Sequence, residues 1–89
     1  MAKFAVVFDR FEYDQFTALI PGEPNIPSTY IRWLQRRAEE RIVEQAAREQ
    51  VVEVPIRLFE FTDYCRSNDV APSYNALIRT AMKKYGTSN

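Results

Sequence analysis

The sequence contains no histidine, one cysteine (Cys65) and two glycines among its 89 residues. Without histidine the chain lacks the commonest general base and the commonest zinc ligand. One cysteine excludes an intramolecular disulfide and any site built from several thiolates. Two separate glycines, Gly22 and Gly86, cannot form a glycine-rich phosphate loop. We therefore predict a protein that is not an enzyme and that has no catalytic residues, no metal ligands and no cofactor.

The sequence also lacks an excess of charge and any long hydrophobic run. Twelve basic and twelve acidic residues give a formal net charge of zero, so no long-range field attracts nucleic acid or acidic membranes. No segment approaches the roughly 18 apolar residues of a membrane span. The apolar start is too short for the core of a signal peptide, and an unpaired cysteine suits a reducing compartment. These features predict a cytoplasmic protein with no membrane association.

The residues that are present predict a single small domain over residues 1–89. A proline-rich loop at 21–27 separates an N-terminal strand and helix in residues 1–20 from a long helix at 28–50. A strand-helix-helix segment follows at 51–85. The predicted fold class is α+β, with two short strands and four helices in the order β-α-α-β-α-α. The two strands must pair with each other or across a dimer axis.

The N-terminal segment has a strand pattern followed by a helix start. Apolar residues recur through 4–8, which predicts a strand buried on both faces. Asp9 resembles a helix N-cap, and Glu12 stands three residues later, as in a capping box. We therefore expect the first helix over about residues 10–20, ended by Pro21.

The second helix carries two rows of apolar residues. At about 100° per residue, five of them form an aliphatic strip along one face: Ile31, Leu34, Ala38, Ile42 and Ala46. Three others form a minor strip nearly opposite: Trp33, Val43 and Ala47. A helix with two apolar strips is either enclosed within its own domain or shared with another chain.

Arginines in this helix alternate with aromatic residues, a composition found in protein interfaces, on solvated helix faces and on surfaces that stack RNA bases. Glutamates follow at once and cancel the positive potential, which disfavours nucleic acid. Trp33 either packs beneath the proline-rich loop or anchors an interface. The candidate interface residues are Tyr30, Trp33, Arg36, Arg37, Val43 and Ala47.

The C-terminal segment begins with a strand at 51–54. A strand extended to residue 58 would place Pro55 in its middle, where proline cannot donate to a ladder. We therefore expect Pro55 to open a third helix that ends near Ser67. A fourth helix is predicted from Pro72 to Tyr85, closing on Gly86.

This segment resembles the ribbon-helix-helix family of bacterial regulators and antitoxins. The resemblance lies in the strand Val52-Glu-Val-Pro55, a helix, a turn and the helix Asn75-Ala-Leu-Ile-Arg-Thr-Ala-Met82. It implies strands paired antiparallel between two chains, whose outward side chains read the major groove of DNA. The carboxylate at Glu53 departs from the family, because phosphate repels it. The residues implicated by this alternative reading, a DNA-binding regulator or antitoxin, are Val51, Glu53, Ser73 and Arg79.

Other reactive side chains have structural explanations. Asp9, Glu12 and Asp14 suit the first turn of a helix, which favours negative charge. Residues 28–30 fit a helix start, and Cys65 falls on the apolar side of its helix. The sequence thus predicts a small non-enzymatic interaction or regulatory protein that acts through protein–protein contacts. It is expected to form a homodimer and to bind a protein partner that the sequence does not identify.

Overall fold

The structure, a computed structural model, describes residues 3–88. Two strands and four helices follow one another in the predicted order, and the α+β class is confirmed. The elements are β1 (Lys3–Phe8), α1 (Tyr13–Leu19), α2 (Tyr30–Ala46), β2 (Val51–Ile56), α3 (Leu58–Asn68) and α4 (Tyr74–Ser88).

The two strands pair with each other within the chain, in parallel. Lys3 lies opposite Val51, and the register continues to Phe8 opposite Ile56. A parallel pair needs a long crossover connection, which α1 and α2 provide. Of the two pairings that the sequence left open, the described structure has the intramolecular one. Because the sheet has two strands, each strand keeps one open edge.

Pro55 lies inside β2, so the prediction that it opens a helix is wrong. The amide of Lys3 donates to the carbonyl of Gln50 at 2.9 Å, and peptide groups of successive strand residues face alternate edges. In this register the peptide groups of Val51, Glu53 and Pro55 face the open edge of β2. A missing N–H costs no ladder bond there, and edges are where strands tolerate proline.

The helices start and end at different residues from those predicted. Asp9 does not cap α1; its carboxylate accepts a hydrogen bond from the amide of Phe11 at 2.8 Å, a local turn that competes with helix. The helix therefore begins at Tyr13, preceded by Glu12 as N-cap. Helix α2 is shorter than the predicted 28–50, because Arg48 adopts a positive φ of 56°. Helix α4 continues through Gly86 to Ser88.

One face of the sheet is buried against helices, whereas Ala5 and Val7 on the other face are half-buried. This corrects the prediction that β1 is buried on both faces. Phe8 lies at the centre of the core, with the ring centroids of Phe16 and Trp33 at 4.9 and 5.4 Å. The buried apolar residues are Val6, Phe8, Tyr13, Phe16, Ile20, Ile26, Trp33, Val54, Ile56, Phe61, Cys65, Ala76, Leu77 and Ala81.

None of the helices among residues 3–88 combines the length and the apolar character that crossing a membrane requires.

Candidate interaction surface on helix α2

The start of α2 is fixed by two hydrogen bonds that also set its rotation. The hydroxyl of Thr29 accepts from the amide of Arg32 at 3.2 Å, which caps the helix. The phenol of Tyr13 in α1 donates to the carbonyl of Pro27, just before the helix. The predicted role of residues 28–30 as a helix start is confirmed, and the helix is anchored to the core at this end.

The inward face of α2 consists of one aromatic residue and a buried ion pair. Trp33 stacks on Tyr30 with ring centroids 5.6 Å apart and is 7% exposed. One and three turns further on, Arg37 and Glu44 are 4% and 6% exposed. These three side chains therefore occupy the positions that face the protein interior.

Both terminal nitrogens of the Arg37 guanidinium donate hydrogen bonds to carboxylates. Its Nη1 and Nη2 each donate to the carboxylate of Glu44 at 3.0 Å, and Nη1 lies 3.2 Å from Glu40. The hydrogen bonds from Arg37 hold the pKa of Glu44 below its ordinary value, although burial acts in the opposite direction. The Nε of Arg37 is buried, has no hydrogen-bond partner among residues 3–88 and lies 3.9 Å from the carboxylate of Glu53.

The aliphatic strip of α2 faces away from the core. Ile31 is 67% exposed, Leu34 43% and Ile42 69%, and Ala38 and Ala46 are also exposed. The sequence could not tell which apolar strip would face inward. In the structure, Trp33 and the Arg37–Glu44 pair occupy the inward positions, so the strip remains in solvent.

The six candidate interface residues do not form one surface. Trp33 and Arg37 are buried within the domain, and Tyr30 is half-buried beside Trp33. Arg36 is half-buried, and its Nη1 donates to the carbonyl of Pro24 at 2.7 Å. The last two, Val43 and Ala47, are exposed. The minor strip is thus divided, with Trp33 in the core and its other two members in solvent.

The residues of the DNA-binding alternative lie on separate elements. The half-buried Val51 begins β2, and the carboxylate of Glu53 is bound by Arg41 Nη2 at 2.7 Å. The hydroxyl of Ser73 accepts from the amide of Ala76 at the start of α4. Arg79 is exposed on α4. Because β2 pairs with β1 in parallel, the described chain does not by itself present the antiparallel ribbon that the resemblance implies; that resemblance stays a prediction.

The carboxyl ends of the parallel strands, where α/β proteins often bind ligands, are occupied by a side chain of the protein. Glu12 accepts a hydrogen bond from the amide of Leu58 at the start of α3 and from the guanidinium of Arg57, both at 3.0 Å. The hydrogen bond from Arg57 is the main reason that the pKa of Glu12 is lowered. Sequence reasoning assigned Glu12 to a capping box in α1; in the structure it stabilises the start of α3 instead.

The remaining candidate reactive residues are Cys65 and the acidic side chains. Cys65 is buried as predicted, and this burial raises the pKa of its thiol. Among residues 3–88 the acidic side chains and Cys65 do not form a group that could hold a metal ion. A cleft of about 70 Å³ lies between β1 and α2, lined in part by Trp33, Arg36 and Tyr74. This volume is well below the roughly 300 Å³ at which pockets for small-molecule ligands begin. Two larger hollows along α2, of about 360 and 410 Å³, are open to solvent and lined mainly by charged side chains.

Comparisons with models of known protein families, with curated proteins and with solved structures find no match to this chain.

Proposed function

We propose that this chain is a small non-enzymatic interaction protein that acts through protein–protein contacts, and that its contact surface is the aliphatic strip of α2. The observation that carries the proposal is the exposure of the strip on a helix whose opposite side is fixed in the core. Contiguous apolar surface on a soluble protein marks a binding site far more often than scattered apolar residues do.

The rotation of α2 supports this assignment. Turning the helix to bury the strip would bring Arg37 and Glu44 into solvent and would remove Trp33 from its contact with Phe8. Buried charged residues are costly unless they are paired, and this pair has bidentate geometry. The exposure of the strip is therefore built into the fold.

The chemistry of the strip favours an amphipathic helix as the occupant. The strip runs along a helix of 17 residues, about 25 Å long, and such a line of aliphatic side chains packs against a second helix by fitting ridges into grooves. Charges of both signs border it, because Arg32 and Glu39 lie on one flank. We therefore expect a partner helix with an aliphatic strip bordered by both carboxylates and cations. The single buried cysteine suits the reducing cytoplasm as the place of this interaction.

The test uses a designed helical peptide with a leucine strip bordered by glutamate and lysine. When it is added to the ¹⁵N-labelled protein, the amide shifts that move should lie on α2 around Ile31, Leu34 and Ile42. The variant I31Q/I42Q should lose this response while keeping the unfolding free energy within about 1 kcal/mol, because both side chains are exposed.

Val43→Gln serves as the matched control, since Val43 is 64% exposed but lies outside the strip. It should bind the peptide like the wild type. Shift changes centred away from α2, or unfolding of I31Q/I42Q, would overturn the proposal.

A further inference from the structure

Resting on the proposed function, we infer that the helix bound by the aliphatic strip is α2 of a second copy of this chain, packed antiparallel. The interface would be isologous, with the same residues contributed by both copies. Three features of the strip support this assignment: its pattern of large and small side chains, its flanking charges and its length.

Reversing the helix brings the two isoleucines of the strip together and sets its leucine close to an alanine. A two-fold axis level with the midpoint between Ile31 and Ile42, the two isoleucines of the strip, sets residue n level with residue 73 − n of the second copy. Ile31 then meets Ile42 of the second copy. At a rise of about 1.5 Å per residue, Leu34 lies within about 1.5 Å, along the axis, of Ala38 of the second copy. A large side chain thus faces a small one, which lets the helices approach closely.

The charges beside the strip favour the same register. Arg32 and Glu39 are exposed and lie on the same flank, seven residues apart. Neither forms an ion pair with a residue among 3–88, whereas Arg36, Arg37 and Arg41 of the same helix are each paired within the chain.

In the antiparallel register Arg32 lies within about 3 Å, along the axis, of Glu39 of the second copy. The two-fold axis makes two such pairs. In a parallel two-fold dimer this flank of one helix lies beside the opposite flank of the other, so Arg32 and Glu39 of the two copies are on opposite sides of the interface and do not pair. These two charges, which are unpaired among residues 3–88, therefore complement each other only when the copies are antiparallel.

The length of α2 limits the buried area, and therefore the affinity, expected for the dimer. Two helices of 17 residues, packed along their length, bury on the order of 1,000 Å² in total, at the lower end of specific interfaces. Interfaces of this size belong to the weak, transient class, and we therefore expect a dimer that dissociates in the micromolar range.

Sedimentation equilibrium from about 1 to 500 μM provides the first test. The wild type should change from monomer to dimer within this range, and I31Q/I42Q should stay monomeric. A folded wild type that remains monomeric at all concentrations would overturn the dimer. The proposed function would still stand in that case if the designed peptide binds to α2, so the two failures are distinguishable.

Charge reversal tests the register. R32E and E39R should each weaken the dimer by about tenfold, since each replaces two attractive pairs by two repulsive ones. The combined variant R32E/E39R should restore the wild-type dissociation constant to within about threefold. R79E, a charge reversal on the exposed face of α4, should leave it unchanged. Failure of the double variant to recover would contradict the proposed pairing.

Spin labels test the orientation directly. A label on Q45C, in a C65A background, would be separated from its symmetry mate by roughly 26 Å along an antiparallel pair. In a parallel dimer the two labels would lie side by side, at about half that distance. The longer separation is the expected result, and the shorter one would overturn the antiparallel arrangement.

Discussion

Arg37 and Glu44 form a bidentate ion pair across two turns of α2, with both hydrogen bonds at 3.0 Å and both side chains buried. Charged residues are rarely enclosed to this degree unless they are paired. The pair fixes which side of the helix meets the core, and so it determines that the aliphatic strip faces outward. The proposed binding surface thus depends on an interaction on the opposite side of the same helix.

Removing one member of this pair should destabilise the protein more than removing both. Arg37→Met leaves the Glu44 carboxylate buried with Lys3 as its remaining cation, 3.5 Å away, and we expect a loss of about 3 kcal/mol in unfolding free energy. The double variant R37M/E44L should lose clearly less, because no buried charge remains. Urea unfolding of both variants measures the difference.

Arg41→Met is the matched control for this experiment. Arg41 pairs with Glu53 at 2.7 Å, but both side chains are more than one-third exposed. An exposed pair contributes at most about 1 kcal/mol. Equal losses of unfolding free energy for Arg37→Met and Arg41→Met would mean that the Arg37–Glu44 pair is not buried in solution.

Acid should weaken the fold through Glu12 and Glu44. Hydrogen bonds from Arg57 and Arg37, respectively, lower the pKa values of these two carboxyls. Their stabilisation is complete above the unfolded-state pKa of about 4.3 and is lost as the pH falls through the lower folded-state value. Because the sequence has no histidine, we expect little change in stability between about pH 5 and 7 and a progressive decline below pH 4.5.

Urea midpoints at several pH values between 7 and 3 measure this decline. The difference between the wild type and Glu44→Gln should narrow as the pH falls, because protonation removes the same charge that the substitution removes. Glu49→Gln, a change at an exposed carboxylate outside these pairs, should keep a constant difference. A wild-type curve that is flat down to pH 3 would contradict the assignment.

The sequence predicts the order of elements well, because each helix and strand has a clear periodicity or a local start signal. It does not predict which side of α2 is buried. Apolar periodicity predicts that Ile31 and Ile42 face the core. In the structure Arg37 and Glu44 are buried instead, because their opposite charges neutralise each other. A signal existed: the two opposite charges stand seven residues apart, on the same face as Trp33.

The error at Pro55 has a different cause. A proline within an apolar run predicts a helix start or an interrupted strand, and only the sheet register decides that its missing N–H faces an open edge. Glu12 presents a similar problem, since its partner Leu58 is 46 residues away. Interactions of this kind depend on tertiary contacts that local sequence does not encode.

Leu77 in α4 should be a main contributor to stability. Its side chain is completely buried, and truncation of a buried leucine to alanine costs about 2–5 kcal/mol. Domains of this kind have total stabilities of about 5–15 kcal/mol, so Leu77→Ala should lower the melting temperature strongly. Met82→Ala on the same helix is the control, because Met82 is 50% exposed, and it should cost less than about 1 kcal/mol. Similar melting shifts for both variants would contradict the orientation of α4.

Pro55 should protect the open edge of β2 from pairing with other chains. Pro55→Val introduces an N–H on that edge without removing a ladder bond, and the carbonyl that accepts from Lys84 Nζ at 2.7 Å is retained. The unfolding free energy should therefore change by less than about 1 kcal/mol. The new donor completes the row of edge amides at Val51 and Glu53, and a continuous row of that kind is a template for strand addition.

Association is the measurement that tests this role. We expect Pro55→Val to form species larger than a dimer at concentrations where the wild type does not, detected by sedimentation velocity and light scattering. Pro55→Lys is the control. It also restores the backbone N–H, but it places a charged side chain on the edge, and such a charge discourages strand pairing. It should behave like the wild type. If Pro55→Val does so too, the edge is protected by something other than the missing donor at residue 55.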